Sequence, residues 1–139
     1  MVAASQPYTN EPHFLGDDRL DMRLNLIQEE FDELIEATND KDEIAERDAI
    51  GDMIYVIVGL AHERGYGHKL AEDFALIHES NMSKFCVSED EAKQTVAMYA
   101  GKNIETHYAL NQKTGLWVIY RSEDDKVLKS INYKAVQLK

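Results

Sequence analysis

The sequence predicts a mainly α protein, a helical bundle with a four-helix core and a small C-terminal antiparallel β appendage. Apolar residues between about Leu20 and Gly101 recur at the three- and four-residue spacings of amphipathic helices. After Gly101, short segments rich in β-branched and aromatic residues alternate with turn-like segments. We therefore divide the chain into an N-terminal arm (1–16), a helical domain (17–101) and an appendage of that same domain (102–139).

The first helix follows the irregular arm. Residues 1–16 show no periodicity and contain both prolines of the chain. The apolar residues that follow form one stripe at alternating spacings of four and three: Leu20, Leu24, Ile27, Phe31 and Leu34. This pattern predicts a helix that ends near the turn-like Thr38-Asn39-Asp40.

The second helix is predicted from about Asp42 to His62. Its segment "MIYVIVGLA" is too long and too continuous for a half-buried strand, and good helix formers precede it. The helix is apolar almost all round, which indicates burial on every side. Four helices of one short chain do not easily supply such burial, so we expect a homodimer or a dimer of dimers.

Two more helices and three strands complete the prediction. An amphipathic helix passes through Leu70 and ends at about Ser80. Ser88 and Glu91 form a capping-box pattern, which begins a fourth helix that ends at Gly101. The predicted strands are "NIETHYAL", "GLWVIYR" and "KVLKSINY", separated by the turn-like "NQKTG" and "SEDDK".

Composition limits the partners and the compartment. Lys and Arg total 15 against 26 Asp and Glu, and the formal charge of −11 disfavours binding to nucleic acid. No stretch reaches the roughly 18 to 20 apolar residues of a membrane helix, and the N-terminus lacks the pattern of a signal peptide. The single cysteine forms no internal disulfide. We expect a soluble, cytosolic protein that binds no membrane.

Five acidic residues on the first two helices form a candidate metal site: Glu29, Glu30, Glu33, Asp48 and Asp52. Spacings of three and four place the acids of each helix beside one another, and a short connection makes the helices antiparallel. Carboxylates that converge in a half-buried place repel unless a cation lies between them, and oxygen ligands favour Mg²⁺ or Mn²⁺. The alternatives are a solvated acidic face and, for Asp52, a hydrogen-bonded core acid.

Three segments together resemble a known superfamily. "RLNLIQEEFDELIEA", "DAIGDMIYVIVGLAHERG" and "IHESNMSKF" resemble the all-α nucleoside triphosphate pyrophosphohydrolases, which include MazG and the phosphoribosyl-ATP pyrophosphohydrolases. The resemblance is close from about Arg23 to Phe85. The tail segment "DDKVLKSINY" is similar to small phage and bacterial members, which include dUTP-hydrolysing enzymes and the phage MazZ enzymes that act on dGTP.

The resemblance implies an activity and a division of roles. The superfamily hydrolyses a nucleoside triphosphate between the α and β phosphates, giving monophosphate and diphosphate, with two or more Mg²⁺ or Mn²⁺ ions. Glu30 and Glu33 match its metal-binding glutamates, and Glu29 matches the acid proposed as the base for the attacking water. Asp52 matches the aspartate of its ExxD motif, but Ala49 stands where that motif has glutamate. We assign Asp48, one turn before Asp52, as the substitute metal ligand.

Further residues are candidates for substrate contacts. Asn81 and Lys84 resemble the superfamily's triphosphate contacts, and Lys126 and Lys129 are placed to reach phosphates from the tail. Each has an ordinary alternative, a helix cap for Asn81 and solvated surface charges for the lysines. For Arg23 we rank a helix salt bridge ahead of a substrate contact.

The base of the nucleotide is the least determined feature. Phe14 of the arm and Tyr55 of the second helix are candidate base contacts, although Phe14 is equally consistent with arm packing. The tail favours a deoxynucleotide, with dGTP ahead of dUTP or another noncanonical dNTP, in a bacterial or phage-infected cytosol. Phosphoribosyl-ATP is less favoured because of the extra β tail. The non-enzymatic alternative is an acidic helical interaction module, which predicts no dependence on divalent metal.

Overall fold

The computed structural model describes residues 9–139 and places them in two compact units, one ending at Ala71 and the other beginning at Glu72. The helices are α1 (Asp17–Asp40), α2 (Glu43–Glu63), α3 (Leu70–Met82, preceded by a 3-10 turn at Gly67–Lys69) and α4 (Glu89–Ala100). The strands are β1 (Thr106–Asn111), β2 (Leu116–Arg121) and β3 (Val127–Leu128), which form one antiparallel sheet in the order β1-β2-β3. The predicted mainly α class with a small C-terminal antiparallel sheet is confirmed.

A two-residue turn joins α1 to α2 as an antiparallel hairpin. Lys41 has left-handed backbone dihedrals, and Asp42 caps α2 by accepting hydrogen bonds from the N–H groups of Ile44 and Ala45. Ala37 of α1 and Ala49 of α2 are buried, and small side chains there let the two helices approach closely. The predicted pairing of these helices is thus present within the first unit.

The apolar surface of α2 is largely uncovered in the single chain. Ala49 is the one buried residue of this helix, and Tyr55 is 80% exposed. Other large apolar side chains of α2 are also exposed: Ile44, Ile50, Ile54 and Ile57. Within one chain, residues 9–139 therefore do not supply the all-round burial that the sequence predicts for α2.

The second unit has its own small core between α4 and the sheet. Helix α4 packs against β1 and β2, and the fully buried centre consists of Cys86, Ala92 and Ile119. Trp117 and Tyr108 pack around it with their rings edge to face. The predicted boundary at residue 101 separates α4 from the sheet on which it packs. The predicted division into an arm, a helical domain and an appendage stays a prediction.

Two local predictions need correction. Ser88 caps α4 as expected, accepting from the Glu91 N–H at 3.1 Å, but the Glu91 carboxylate does not return to Ser88. It accepts instead from the Val87 N–H and the Ser130 hydroxyl, because the tail of the chain reaches it. The third predicted strand is also too long, since pairing is limited to Val127–Leu128 and side chains hold the tail beyond it.

Candidate functional site

Glu30 is the centre of the acidic cluster on the α1–α2 hairpin. Its side chain is half-buried, and its Oε2 atom is buried with no hydrogen-bond partner among residues 9–139. Burial raises the pKa of Glu30, and the charges of Glu33, Asp52, Glu29 and Asp48 raise it further, in that order. The structure therefore brings the other four predicted acids within electrostatic reach of Glu30.

The other four acids lie at the surface around Glu30. All four are exposed, and within the described part of the chain no three His, Cys, Asp or Glu side chains converge closely enough to form a metal coordination sphere. The electrostatic effect on Glu30 and the lack of a closed coordination sphere are compatible, because charges interact over longer distances than coordination bonds. Carboxylate oxygens are the donor type that Mg²⁺ and Mn²⁺ prefer, and a metal site among these acids stays a prediction.

Ala49 and Asp48 occupy different positions on the hairpin. Ala49 is 2% exposed, whereas Asp48 is exposed and borders an open cleft with Arg47. Asp48 also makes the smallest of the four electrostatic contributions at Glu30. Position 49 lies on the buried side of α2, whereas position 48 lies on the exposed side. The Asp48 side chain therefore does not occupy the place that a glutamate at position 49 would occupy. The role of Asp48 as substitute ligand stays a prediction.

Arg23 belongs to an ion-pair cluster that the sequence did not reveal. Its Nη2 donates to Glu63 Oε1 at 2.6 Å, and Arg19 Nε donates to Glu63 Oε2 at 2.8 Å. These two hydrogen bonds to arginine hold the pKa of Glu63 at about 2. The four-residue spacing of Arg19 and Arg23 indicates that they lie on one face of α1. It does not reveal their partner Glu63, because that residue lies on α2. A substrate role for Arg23 stays a prediction.

The arm presents Phe14 at the end of α2. Arg64 donates through Nε to the His13 carbonyl at 2.6 Å, accepts from the His13 N–H, and lies 4.3 Å from the centre of the Phe14 ring. Gly65 adopts a positive φ of 81°, and a side chain there would collide with the carbonyl of Glu11. Phe14 remains 87% exposed. The predicted base contacts Phe14 and Tyr55 are thus both exposed, although the Arg64 guanidinium lies over the Phe14 ring.

The predicted phosphate contacts lie in the second unit. Lys84 Nζ donates to Asn81 Oδ1 at 2.9 Å, just after the end of α3. The Lys84 carbonyl accepts from the Ser130 N–H at 2.9 Å, which brings the adjacent Lys129 into the same region, where its ammonium lies over the Tyr133 ring. Lys126 stands instead at the β2–β3 turn, where its carbonyl accepts from the Arg121 N–H.

Comparison with known proteins decides the family. A model of the phosphoribosyl-ATP pyrophosphohydrolase family matches residues 3–81, more than half of the chain. The chain belongs to this family. Phosphoribosyl-ATP pyrophosphohydrolases are part of the MazG-like all-α nucleoside triphosphate pyrophosphohydrolase superfamily, as the sequence segments indicated. The matched region contains the five acids and Asn81, and it ends before Lys84, Lys126 and Lys129.

A curated relative of the chain comes from a virus. An uncharacterized protein of Acanthamoeba polyphaga mimivirus is 35% identical over 100 residues, which cover 66% of this chain and 39% of that protein. The chain therefore matches about two fifths of the relative's length, 39%. No solved structure matches the chain. Among the described residues, no helix is both long and apolar enough to cross a membrane.

Proposed function

We propose that the protein is a nucleoside triphosphate pyrophosphohydrolase that requires Mg²⁺ or Mn²⁺. It hydrolyses the bond between the α and β phosphates and releases nucleoside monophosphate and diphosphate. The observation that supports this proposal most directly is Glu30, a half-buried carboxylate with an unpartnered oxygen and a pKa raised by burial and by four neighbouring acids. Such a cluster is costly for the fold alone, whereas a bound cation would offset its repulsion.

The acids divide into ligands and a base. Glu30, Glu33, Asp48 and Asp52 would hold the ions, and the exposed Glu29 would accept the proton of the attacking water at its carboxylate. When bound, the ions lower the pKa of a coordinated water and neutralise charge on the phosphates. Glu29 lines an open cleft of α1 with Asp18 and Asp21, which leaves its carboxylate accessible to solvent.

For four residues of the second unit we propose contacts to phosphate groups, as the resemblance implies: Asn81, Lys84, Lys126 and Lys129. Lys84 and Asn81 are already hydrogen-bonded to each other, so the amide orients the ammonium group before a ligand arrives. Lys129 lies in the same region of that unit, and Lys126 is the more remote of the two tail lysines.

For the substrate we propose a deoxynucleoside triphosphate, with dGTP first and dUTP or another noncanonical dNTP second. The exposed rings of Phe14 and Tyr55 support recognition by stacking, which contributes roughly 1–3 kcal/mol per base in proteins that bind single-stranded nucleic acid. Phosphoribosyl-ATP remains a test substrate because the family model bears its name.

A product assay tests this function. The purified protein would be incubated with each dNTP and NTP, and with phosphoribosyl-ATP, in the presence of Mg²⁺ or Mn²⁺, and the products separated by ion-exchange chromatography. We expect equimolar monophosphate and diphosphate from one preferred nucleotide, and loss of both products in the Glu30→Gln variant. Orthophosphate in place of diphosphate would contradict the proposed bond cleavage.

Absence of turnover together with absence of a metal effect would favour the interaction module. Melting curves with and without Mn²⁺ provide that second readout. A cation that binds the native state at 100 times its Kd stabilises it by about 2.7 kcal/mol. A module whose acids only contact a basic partner protein would show no such specific increase in melting temperature.

We also propose that the protein is a homodimer or a dimer of dimers. Apart from Tyr55, exposed apolar residues of α2, with Ile54 and Ile57 among them, support an assembly that covers part of this helix. Light scattering coupled to size-exclusion chromatography measures the mass directly. A monomer at micromolar concentration would contradict this proposal.

A further inference from the structure

A second polar cluster lies on the α1–α2 hairpin, apart from the five acids. Arg19 and Arg23 of α1 both donate to Glu63 at the end of α2, and the three side chains are 17%, 12% and 11% exposed. Arg19 uses both Nε and Nη2 in this contact, whereas Arg23 uses Nη2. Half-buried guanidinium groups of this kind are ordinarily matched by acceptors in full.

The charges of this cluster do not balance. Two guanidinium groups share one carboxylate, which leaves one positive charge uncompensated. The Nε atom of Arg23 is in addition buried without a hydrogen-bond partner among residues 9–139. A buried donor without an acceptor costs free energy. The cluster thus has both the charge and an unused donor for one more anion.

A glycine makes room for the Arg23 guanidinium. Gly59 lies inside α2, and a methyl group at this position would stand 2.8 Å from Arg23 Nη1. Glycine within a helix costs roughly 0.5–1 kcal/mol relative to alanine, so its presence needs a local reason. The close approach of the guanidinium to the backbone of α2 is that reason.

The cluster lies on the same faces of the two helices as the acids. Arg23 precedes Glu30 by seven residues on α1, and Gly59 follows Asp52 by seven residues on α2. Seven residues are close to two helical turns, which return to the same face at a distance of about 10 Å along the axis. The arginines are therefore in line with the acidic cluster along α1, and Arg23 lies about two helical turns from Glu30.

We propose that Arg19 and Arg23 form an anion-binding subsite for a phosphate or diphosphate group, with Glu63 and Gly59 as positioning residues. A guanidinium fork donates two parallel hydrogen bonds, which suits an anion that presents two oxygens to it, as a phosphate group does. The subsite rests on the proposed function for its physiological ligand, the terminal phosphates of the substrate and the diphosphate product. Glu63 orients the two forks and competes with the anion for them.

Binding of inorganic diphosphate to the metal-free protein tests this subsite without any need for turnover. Calorimetry in the presence of a chelator would compare the unmodified protein with Arg23→Gln and Glu63→Gln. Arg23→Gln should weaken binding about tenfold or more, because a charge-assisted contact is lost. Glu63→Gln should tighten binding about tenfold, because the competing carboxylate is gone, even though this variant melts at a lower temperature.

Two further variants serve as controls. Arg121→Gln removes the arginine of the Arg121–Asp124 pair in the other unit and should leave diphosphate affinity unchanged. Gly59→Ala should weaken binding by displacing the Arg23 guanidinium, and it keeps the test decisive if Arg23→Gln fails to fold. If the ion pairs are purely structural, Glu63→Gln and Arg23→Gln should lower the melting temperature, but all variants should bind diphosphate with the same affinity. That result would overturn the proposal.

An inhibition assay shows whether the subsite binds the terminal phosphates of the substrate or free phosphate at a separate site. Diphosphate should inhibit turnover competitively in the unmodified protein and several-fold less in Arg23→Gln. Inhibition that is not competitive would overturn the assignment to the substrate's terminal phosphates in favour of a separate site for free phosphate. Binding of diphosphate through Arg23 without turnover of any nucleotide would instead contradict the proposed function and leave the subsite standing.

Discussion

Glu30 on the hairpin and Glu91 in the C-terminal unit are both withdrawn from solvent, and they are treated in opposite ways. Glu91 is buried, and its two oxygens accept from the Ser130 hydroxyl at 2.5 Å and the Val87 N–H at 2.8 Å. Burial raises its pKa, but these hydrogen bonds and one from Asn132 outweigh burial, so the pKa is lowered. Glu30 has an unpartnered oxygen, four acidic neighbours and a raised pKa.

The comparison shows that the Glu91 carboxylate stabilises the fold, whereas the Glu30 carboxylate does not. Glu91 ties the start of α4 to the tail at Ser130, so its burial is repaid by hydrogen bonds. Glu30 receives no such compensation within residues 9–139. Unsatisfied groups and repelling charges persist where function requires them. Substitutions at the two glutamates should therefore have opposite consequences for activity and stability.

The largest expected effect is the loss of activity in Glu30→Gln. We expect the rate of diphosphate release to fall about 100-fold or more, a loss typical of essential charged groups in active sites. The melting temperature of the metal-free protein should be unchanged or higher, because one member of a repelling cluster becomes neutral. Glu36→Gln, at an exposed position of the same helix, is the matched control. A variant with full activity at saturating metal would show that Glu30 is not a ligand.

Glu91→Ala should reverse that pattern. Removal of the buried acceptor leaves the Ser130 and Val87 donors unsatisfied, and we expect a loss of about 3 kcal/mol in the free energy of unfolding. Urea denaturation measures this quantity, and Asp90→Ala in the same first turn of α4 controls for the helix dipole. The stabilising effect of Mn²⁺ should persist in Glu91→Ala. Equal stability of the two variants would mean that Glu91 does not hold the tail.

The third glutamate, Glu63, is paired with two arginines, and the pH dependence of the protein's stability tests this pairing. Its pKa is lowered from 4.5 to about 2 by Arg19 and Arg23, so its charged form stabilises the native state. This contribution is fully present above pH 4.5 and is lost as the pH falls towards about 2. At neutral pH it amounts to at most roughly 3 kcal/mol.

The comparison of Glu63→Gln with the unmodified protein measures this contribution. The difference in free energy of unfolding should be greatest near pH 6 and should shrink steadily as the pH falls below 4.5. Urea titrations at a series of pH values give the curve. A difference that does not change between pH 6 and pH 2 would show that the ion pair with Arg19 and Arg23 is not formed in solution.

The smallest effect concerns the two aspartates of α2. Asp52 acts on Glu30 more strongly than Asp48 does, so Asp52→Asn should reduce metal-dependent activity more than Asp48→Asn. For Asp48→Asn we expect a reduction of about tenfold, in the range found for residues that support a metal site without being its main ligands. Metal titrations of activity compare the two variants. Equal losses would support Asp48 as a full substitute for the glutamate that Ala49 replaces.

Helical periodicity is a local property, and for this reason the sequence predicted the four helices well. The predicted ends of α1 and α2 lie within a few residues of the observed ones, since caps and turn residues mark them. The third strand was predicted too long because β propensity extends to Tyr133, whereas backbone pairing needs a neighbouring strand. The tail is held instead by side chains such as Ser83, which accepts from the Lys134 N–H at 2.9 Å.

The sequence by itself determined which acids lie near one another on the α1–α2 hairpin, because spacings of three and four residues group them on each helix and a short connection makes the helices antiparallel. It also determined the family through the order of its motifs. Only the tertiary structure decided which acid is withdrawn from solvent, and that Arg19 and Arg23 share Glu63. The register between two helices decides such contacts, and it depends on side-chain packing that no single helix encodes.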